Sequence, residues 1–336
     1  MIRGKAILVV VMFLFASSFW GGGLSEAAQF TLKISHSTTP DDWMHKGWLR
    51  FGEQLKGKTA GKIEVQVFHS SQLTVDRTML EYARDNMIQA GSAPTFIIAH
   101  MVNDPRWFFS DLPMYYGSSA NLYKVTDGES FKIIAREVER KMGFKIYGIY
   151  NLGWADIGNT KRPIRKLADF DKLKIRTPEG DTWMEPVRAF GANPTPMNYG
   201  EVYTGLQQKT IDGITTIANL FVTSRFCDFT KFHTELGMLP SAHTIVLNQQ
   251  FYDSLPNDLK KAVDESMADT IVWFRKASVE AEEAVYKTLA DKGVQVVRMT
   301  PGFRAECRKI LEPVVEKLKK KIGKDFAKLV DADLKK

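Results

Sequence analysis

Residues 257–292 contain neither glycine nor proline, and this feature limits most strongly how the chain can fold. Apolar residues recur along the stretch at helical spacing, and Gly293 ends the pattern. Such a helix is about 50 Å long, well beyond the roughly 30 Å width of a small domain. A coiled-coil arm is the alternative, but the stripe has many alanines and lacks regular charged flanks. We therefore predict one helix, over about 257–292, that spans two lobes with a cleft between them.

Length and composition agree with two lobes. A chain of 336 residues suggests about two domains, and 44% hydrophobic with 25% charged residues excludes wholesale disorder. Only two cysteines occur, so this chain alone cannot assemble a Cys-rich zinc site or an iron–sulfur cluster. Cys227 and Cys307 either pair or remain buried thiols, and the sequence leaves both open.

The N-terminus has the pattern of a secretory signal peptide. Arg3 and Lys5 precede an apolar run that is shorter than the roughly 20 residues of a spanning helix, and small residues precede Ala28. A retained membrane anchor is the alternative. We predict that residues 1–27 are removed and that the mature protein is exported.

Segments with strand periodicity alternate with helical segments after the signal peptide. The order begins as strand, helix, strand, helix, with a helix start at Asp41–Asp42 and a second helix over 75–86. The predicted strands are 30–35, 63–67, 87–90, 145–150, 173–176, 211–216 and 243–247. This alternation predicts an α/β fold with helices on both faces of largely parallel sheets.

Charge and motifs exclude several functions. The formal net charge of +7 is spread along the chain, and the densest basic run, 317–321, reads as a solvated helix face rather than a nucleic-acid site. An acidic small molecule is a better candidate partner. The chain has no Gly-x-Ser-x-Gly, Walker, Gly-x-Gly-x-x-Gly or His-Glu-x-x-His motif, and its six histidines are scattered singly. We predict no catalytic residue, no metal site and no cofactor.

Five blocks between residues 159 and 213 form the most specific pattern in the chain. They are 159–164, 173–179, 190–197, 201–208 and 211–213. In order and spacing they resemble the solute-binding proteins of TRAP (tripartite ATP-independent periplasmic) transporters, the DctP-like family. Agreement extends to His36–Ser37, Gln72–Leu73, Asp111–Pro113 and 255–259, so the resemblance covers essentially the whole mature chain.

The resemblance implies a periplasmic receptor that closes on an organic acid anion, and we expect this protein to be a monomer. Such a receptor delivers the acid to the small and large membrane permease subunits. We expect lobe I to comprise residues 28–152 and 242–281, and lobe II residues 153–241 and 282–336. Alternatives are an exported ligand sensor that feeds a signalling partner, and an exported α/β hydrolase or lyase with Asp156 or a histidine as base.

Arg176 is the strongest candidate for binding the ligand. It ends a predicted strand before Thr177–Pro178, and open α/β sheets present their ligand crevice at the carboxyl ends of strands. A guanidinium offers a planar fork of donors that matches a carboxylate. By resemblance, Arg176 occupies the position of the family's carboxylate-binding arginine. Without the resemblance, a surface ion pair would be the ordinary role of such an arginine.

Two departures from the family pattern concern the ligand. Where the family reads Gly-Phe-Arg, this chain has Gly153-Trp154-Ala155-Asp156. The arginine is replaced by Ala155, or by Asp156 if the alignment is shifted by one residue, so a second carboxylate loses its natural partner. Where the family has Gln-Glu-Asn, this chain has Ile-Thr-Thr, so Thr216 would donate a hydroxyl in place of the asparagine amide. We therefore expect an acid with one carboxylate, partly apolar or aromatic, and weak binding of succinate or malate.

The other candidate ligand contacts come from segments expected near the cleft. They are Tyr199, Trp154, Phe96, His36, Thr215 and Asp156. If Asp156 points into the cleft it could pair with an ammonium, which makes an amino acid or zwitterion the alternative ligand. If it does not, it is a solvated loop residue.

Overall fold

The computed structural model describes residues 28–336. The predicted signal peptide, residues 1–27, lies outside the described residues. Within 28–336 no helix combines the length and the apolar character needed to cross a membrane.

The described chain alternates strands and helices from its beginning. The strands are β1 (Phe30–Ser35), β2 (Ile63–Phe68), β3 (Ala90–Pro94), β4 (Phe144–Asn159), β5 (Lys174–Thr177), β6 (Asn193–Pro196), β7 (Gly213–Ile217), β8 (Phe232–Glu235), β9 (Pro240–Asn248) and β10 (Gln295–Arg298). The helices are α1 (Trp43–Lys58), α2 (Asp76–Arg84), α3 (Thr95–Val102), α4 (Ser119–Thr126), α5 (Glu129–Met142), α6 (Asp181–Ala189), α7 (Val202–Gln207), α8 (Ala218–Thr223), α9 (Gln249–Ser254), α10 (Asn257–Asp291), α11 (Pro301–Lys321) and α12 (Lys324–Leu334).

Strand β4 is shared by the two lobes. The strand order is β2-β1-β3-β9-β4-β7-β5-β6, with β8 beside β4 and β10 beside β8. The first half of β4 pairs with β9 in lobe I, and its second half pairs with β7 and β8 in lobe II. The α/β two-lobed class predicted from the sequence is therefore confirmed.

The sheets are mixed rather than largely parallel, so that part of the prediction is wrong. Strand β9 runs antiparallel to β3 and β4, and β4 runs antiparallel to β7 and β8. The parallel pairs are β1–β2, β1–β3, β5–β6, β5–β7 and β8–β10. The antiparallel pairs arise where β4 and β9 carry the chain from one lobe to the other.

Helix α10 has 35 residues and confirms the long helix predicted from the sequence. It packs against α1 in lobe I and against α8 and β10 in lobe II. Gly47 permits the close approach of α1, because a Cβ atom at this position would lie 2.1 Å from the Phe274 ring. Both lobes therefore pack against one rigid helix.

Several element boundaries differ from expectation, most of all that of β4, which continues to Asn159 instead of ending at Tyr150. Strand β3 begins at Ala90 rather than at Met87, because Asn86 has a positive φ of 57° and the Met87 N–H donates to Tyr82 in the turn after α2. Helix α12 packs against α4 and α5 of lobe I, where Asp333 accepts hydrogen bonds from the backbone and hydroxyl of Ser130. The expected assignment of residues 282–336 to lobe II stays a prediction.

Candidate functional site

The lobes meet through segments that follow the carboxyl ends of their strands. Phe96 in α3, after β3, packs edge-on against Trp183 in α6, after β5, with ring centroids 6.2 Å apart. Asn219 in α8, after β7, donates a 2.6 Å hydrogen bond to Asp42, which precedes α1 and follows β1. The carboxyl ends of β1 and β3 therefore face those of β5 and β7, which is where α/β sheets bind ligands.

Arg176 lies near the end of β5 and is only 4% exposed. Its Nε and Nη2 atoms both donate to the carbonyl oxygen of Met197, at 2.9 and 2.8 Å, and its guanidinium carbon lies 5.8 Å from the centre of the Tyr199 ring. The two bonds to one oxygen fix the plane of the guanidinium. Arg176 and Tyr199, predicted separately, are thus neighbours.

Tyr199 and the two predicted threonines lie on segments beside β5. The Tyr199 hydroxyl is 2.6 Å from the hydroxyl of Ser224, which orients its ring. Thr216, in β7, is 7% exposed, and the adjacent Thr215 is fully buried. These threonines lie one and two residues beyond Ile214, which pairs with Arg176 across the β5–β7 ladder.

Several buried polar atoms in or just after the central strands have no hydrogen-bond partner within residues 28–336. They are the hydroxyls of Thr177, Thr215 and Thr244 and the Nδ1 atom of His243. Buried polar groups are nearly always paired, so unpaired ones need an explanation such as a ligand or water. Burial lowers the pKa of His243 to about 3, so its ring is neutral at neutral pH and keeps one donor and one acceptor.

His36 lies in lobe I immediately after β1. Its Nε2 atom is 3.0 Å from Nδ1 of His45, and its Nδ1 atom is 3.0 Å from the hydroxyl of Thr38. Burial, with a smaller contribution from His45, lowers the pKa of His36 to about 3. Despite this histidine pair, the part of the chain that the structure describes holds no group of three or more His, Cys, Asp or Glu side chains suited to a metal ion.

Asp156 is neither a solvated loop residue nor a group with open acceptor positions. It lies in β4, is completely buried and accepts hydrogen bonds from four donors. The donors are the Leu236 and Gly237 backbones, the His233 ring and the Tyr286 hydroxyl, at 2.8, 3.0, 3.0 and 2.8 Å. Asp156 therefore ties β4, β8 and α10 together.

Trp154 lies on the same strand, and its indole N–H donates to the hydroxyl of Ser119 at 3.1 Å. It lines a cavity of about 220 Å³ beside α10 and α11, together with Tyr286 and Arg304. Arg304 in turn donates to the carbonyl of Leu236. Trp154 is thus placed where the lobes join.

Three of the residues described above were not predicted from the sequence, namely Trp183, Asn219 and His243. Trp183 and Asn219 lie a few residues after a strand ends, whereas His243 lies within β9, the strand that crosses between lobes. Position after a strand could have identified the first two. The two cysteines, left open by the sequence, are buried free thiols.

A family model described as bacterial extracellular solute-binding protein, family 7 (DctP), matches residues 34–321. Among curated relatives, the 2,3-diketo-L-gulonate-binding periplasmic protein of Escherichia coli K12 is 26% identical over 284 residues, covering 84% of this chain and 86% of the relative. The match therefore extends over more than four fifths of both chains.

Solved structures share the fold. A sugar acid binding protein from Advenella mimigardefordensis, in complex with galactonate, superposes with a TM-score of 0.86 at 24% identity, covering 92% of this chain and 99% of the other. A TRAP periplasmic solute-binding protein from Sulfurospirillum deleyianum, with bound succinate, gives a TM-score of 0.84 at 26% identity, covering 91% and 99%. These neighbours have the same two-lobed architecture.

Proposed function

Because this chain belongs to family 7 of the bacterial extracellular solute-binding proteins, we propose that it captures a small organic acid in the periplasm through Arg176. The family is one of transporter receptors and not of enzymes, which agrees with the sequence-based prediction. Release of the acid to the two membrane permease subunits of a TRAP transporter completes the proposed role. In this proposal, the signal peptide at residues 1–27 directs export of the protein to the periplasm.

The geometry of Arg176 carries the proposal. The guanidinium is buried at a strand end where the lobes face each other, and two of its donors go to the Met197 carbonyl. A buried guanidinium remains charged, and it binds a carboxylate more strongly in a dry site than in water. Holding one edge of the group fixed lowers the entropy lost when an anion binds.

We further propose that the ligand carries one carboxylate. At the position of the family's second arginine, Ala155 is fully buried and its backbone bonds to Leu239 and Met238. This position therefore cannot pair with a second charge. A succinate or malate molecule would leave one carboxylate desolvated without a partner, which costs several kcal/mol.

The remainder of the ligand is proposed to be flat or hydroxylated. Phe96, Trp183 and Tyr199 supply ring faces at the meeting of the lobes, and the hydroxyls of Thr177 and Thr215 have no partner within 28–336. A ring-bearing or polyhydroxy monoacid fits both features. The alternative of an amino acid loses its basis, because the Asp156 carboxylate already accepts four protein hydrogen bonds.

A thermal-shift screen tests this proposal. The purified protein is heated with benzoate, galactonate, succinate, malate or alanine, each followed by calorimetry where a shift appears. A ligand at 100 times its dissociation constant stabilises the native state by about 2.7 kcal/mol. We expect a shift with at least one monoacid, whereas a shift with succinate or malate and none with monoacids would overturn the single-carboxylate proposal.

A further inference from the structure

A hydrogen bond joins the residue that caps the first helix of lobe I to lobe II. Asp42 caps α1, with Oδ1 accepting the Met44 N–H at 2.8 Å, while Oδ2 accepts the side-chain N–H of Asn219 at 2.6 Å. Asp42 is completely buried. One carboxylate therefore has a separate oxygen for each task, a helix cap within lobe I and a contact with lobe II.

We propose that Asp42 and Asn219 form an interlobe latch that holds the two lobes together. The latch positions the lobes and does not touch the ligand. The inference rests on the proposed function in one respect, namely that the molecule bound between the lobes is an organic acid. Thr216, a candidate ligand contact, lies in β7, and Asn219 lies three residues later in α8. No loop separates the two elements, since β7 ends at Ile217 and α8 begins at Ala218. The latch and the ligand contact thus move together.

The surroundings of Asp42 favour a contact that can open. Within the described residues, its two hydrogen bonds come from neutral groups, and Lys46 contributes an attraction one turn along α1. Burial raises the pKa of Asp42 to about 6, which reflects the cost of keeping this carboxylate from water. When the lobes separate, water solvates the Asp42 carboxylate again. This solvation offsets part of the free energy lost when the hydrogen bond to Asn219 breaks, so the latch can open.

A buried apolar cluster near the latch contains side chains of both lobes. Ile217 and Leu220 of lobe II belong to the same buried cluster as Trp43 and Trp48 of lobe I. Apolar burial holds the surfaces together without direction, whereas the hydrogen bond requires one alignment of α8 on α1. The latch therefore sets the closed geometry.

Exchanging the two side chains tests the latch. Asn219→Asp places a second carboxyl group opposite Asp42, and the proteins are compared at pH 8.5, because nearby carboxyl groups share a proton at lower pH. At this pH the two ionised groups should drive the lobes apart. The double variant Asp42→Asn with Asn219→Asp restores one carboxylate and one amide across the interface, and asparagine still caps α1. Asn219→Ala removes the donor and leaves the cap intact, and Asn193→Ala alters an exposed asparagine of the same lobe as a control.

Small-angle scattering of the ligand-free proteins is the first measurement. We expect a larger radius of gyration for Asn219→Asp than for the parent, and a return to the parent value in the exchanged pair. Equal radii for parent and Asn219→Asp, or no recovery in the exchanged pair, would overturn the latch. A screen in which no acid binds would overturn the proposed function. The comparison of radii would still test the latch, because it uses the ligand-free proteins.

Dissociation of a bound acid is the second measurement, with whichever acid in the screen gives a shift as the probe. Hydrogen bonds to charged groups are strong enough that Asn219→Ala should release the probe about tenfold faster than the parent or Asn193→Ala. A variant that melts earlier but releases the probe at the parent rate would show a purely structural contact and contradict the latch.

Discussion

The Nε2 atom of His233 lies 3.0 Å from Oδ2 of Asp156, and both side chains are completely sealed from solvent. The same oxygen accepts the Tyr286 hydroxyl from α10. One carboxylate on the strand shared by the lobes is therefore bonded to a second strand and to the spanning helix. These bonds connect the shared strand to β8 and α10 on the lobe II side.

Tyr286→Phe should lower the free energy of unfolding by about 1–3 kcal/mol, because Asp156 loses one of its donors while remaining buried. Denaturant titration followed by circular dichroism measures this change. Tyr203→Phe, at a tyrosine that is 37% exposed, serves as the control and should change stability by less than about 0.5 kcal/mol. Equal effects of the two substitutions would contradict the role given to Asp156.

Arg176→Lys should weaken acid binding by about 2–5 kcal/mol, although the charge is retained. An ammonium cannot reproduce the planar fork that is held by the Met197 carbonyl. Calorimetry with the acid identified by the screen provides the measurement, and Arg188→Lys, at an exposed arginine of lobe II, is the matched control. An affinity within a factor of about two of the parent would exclude Arg176 as the carboxylate partner.

Asp111 should make stability depend on pH between about 4 and 7. Burial raises its pKa to about 7, against the hydrogen bonds from Ser110, Thr95 and Thr182 and the attraction of Lys321. Because the folded state holds the proton more tightly than the unfolded state, this contribution is present below pH 4 and lost as the pH rises to 7.

Replacing Asp111 with asparagine should remove that dependence. Relative to the parent, Asp111→Asn should gain stability between pH 4 and pH 8, by a few kcal/mol at most. Thermal melts across this range measure the gain, with Asp171→Asn at an exposed aspartate as the control. Parallel pH curves for the parent and Asp111→Asn would refute the prediction.

His243 should have the opposite effect on the acid side. Burial lowers the pKa of His243 to about 3. Between pH 6.5 and 3 this histidine is therefore protonated in the unfolded chain and neutral in the folded chain. Stability is therefore lost as the pH falls through 6.5. His243→Gln should flatten the stability curve below pH 6.5 in urea titrations, and an unchanged slope would show that His243 does not contribute.

The sequence by itself determined the features that depend on neighbouring residues. Helix α10 follows from an uninterrupted helical stripe, and β1, β2 and β5 follow from short alternating segments. Asp42 was predicted at a helix start and does cap α1, since capping needs only the next two residues. The resemblance carried by five local blocks likewise agrees with the family match over 34–321.

Only the tertiary structure decided the partners of single polar side chains. Asp156 is bonded to residues 77 and 130 positions away, and Asp42 to one 177 positions away. No periodic pattern encodes such pairs, because a hydrogen bond depends on which strands cross and in what direction. The antiparallel pairing of β4 and β9 has the same origin. Local chemistry sets each element, whereas the path of the chain between the lobes sets which elements meet.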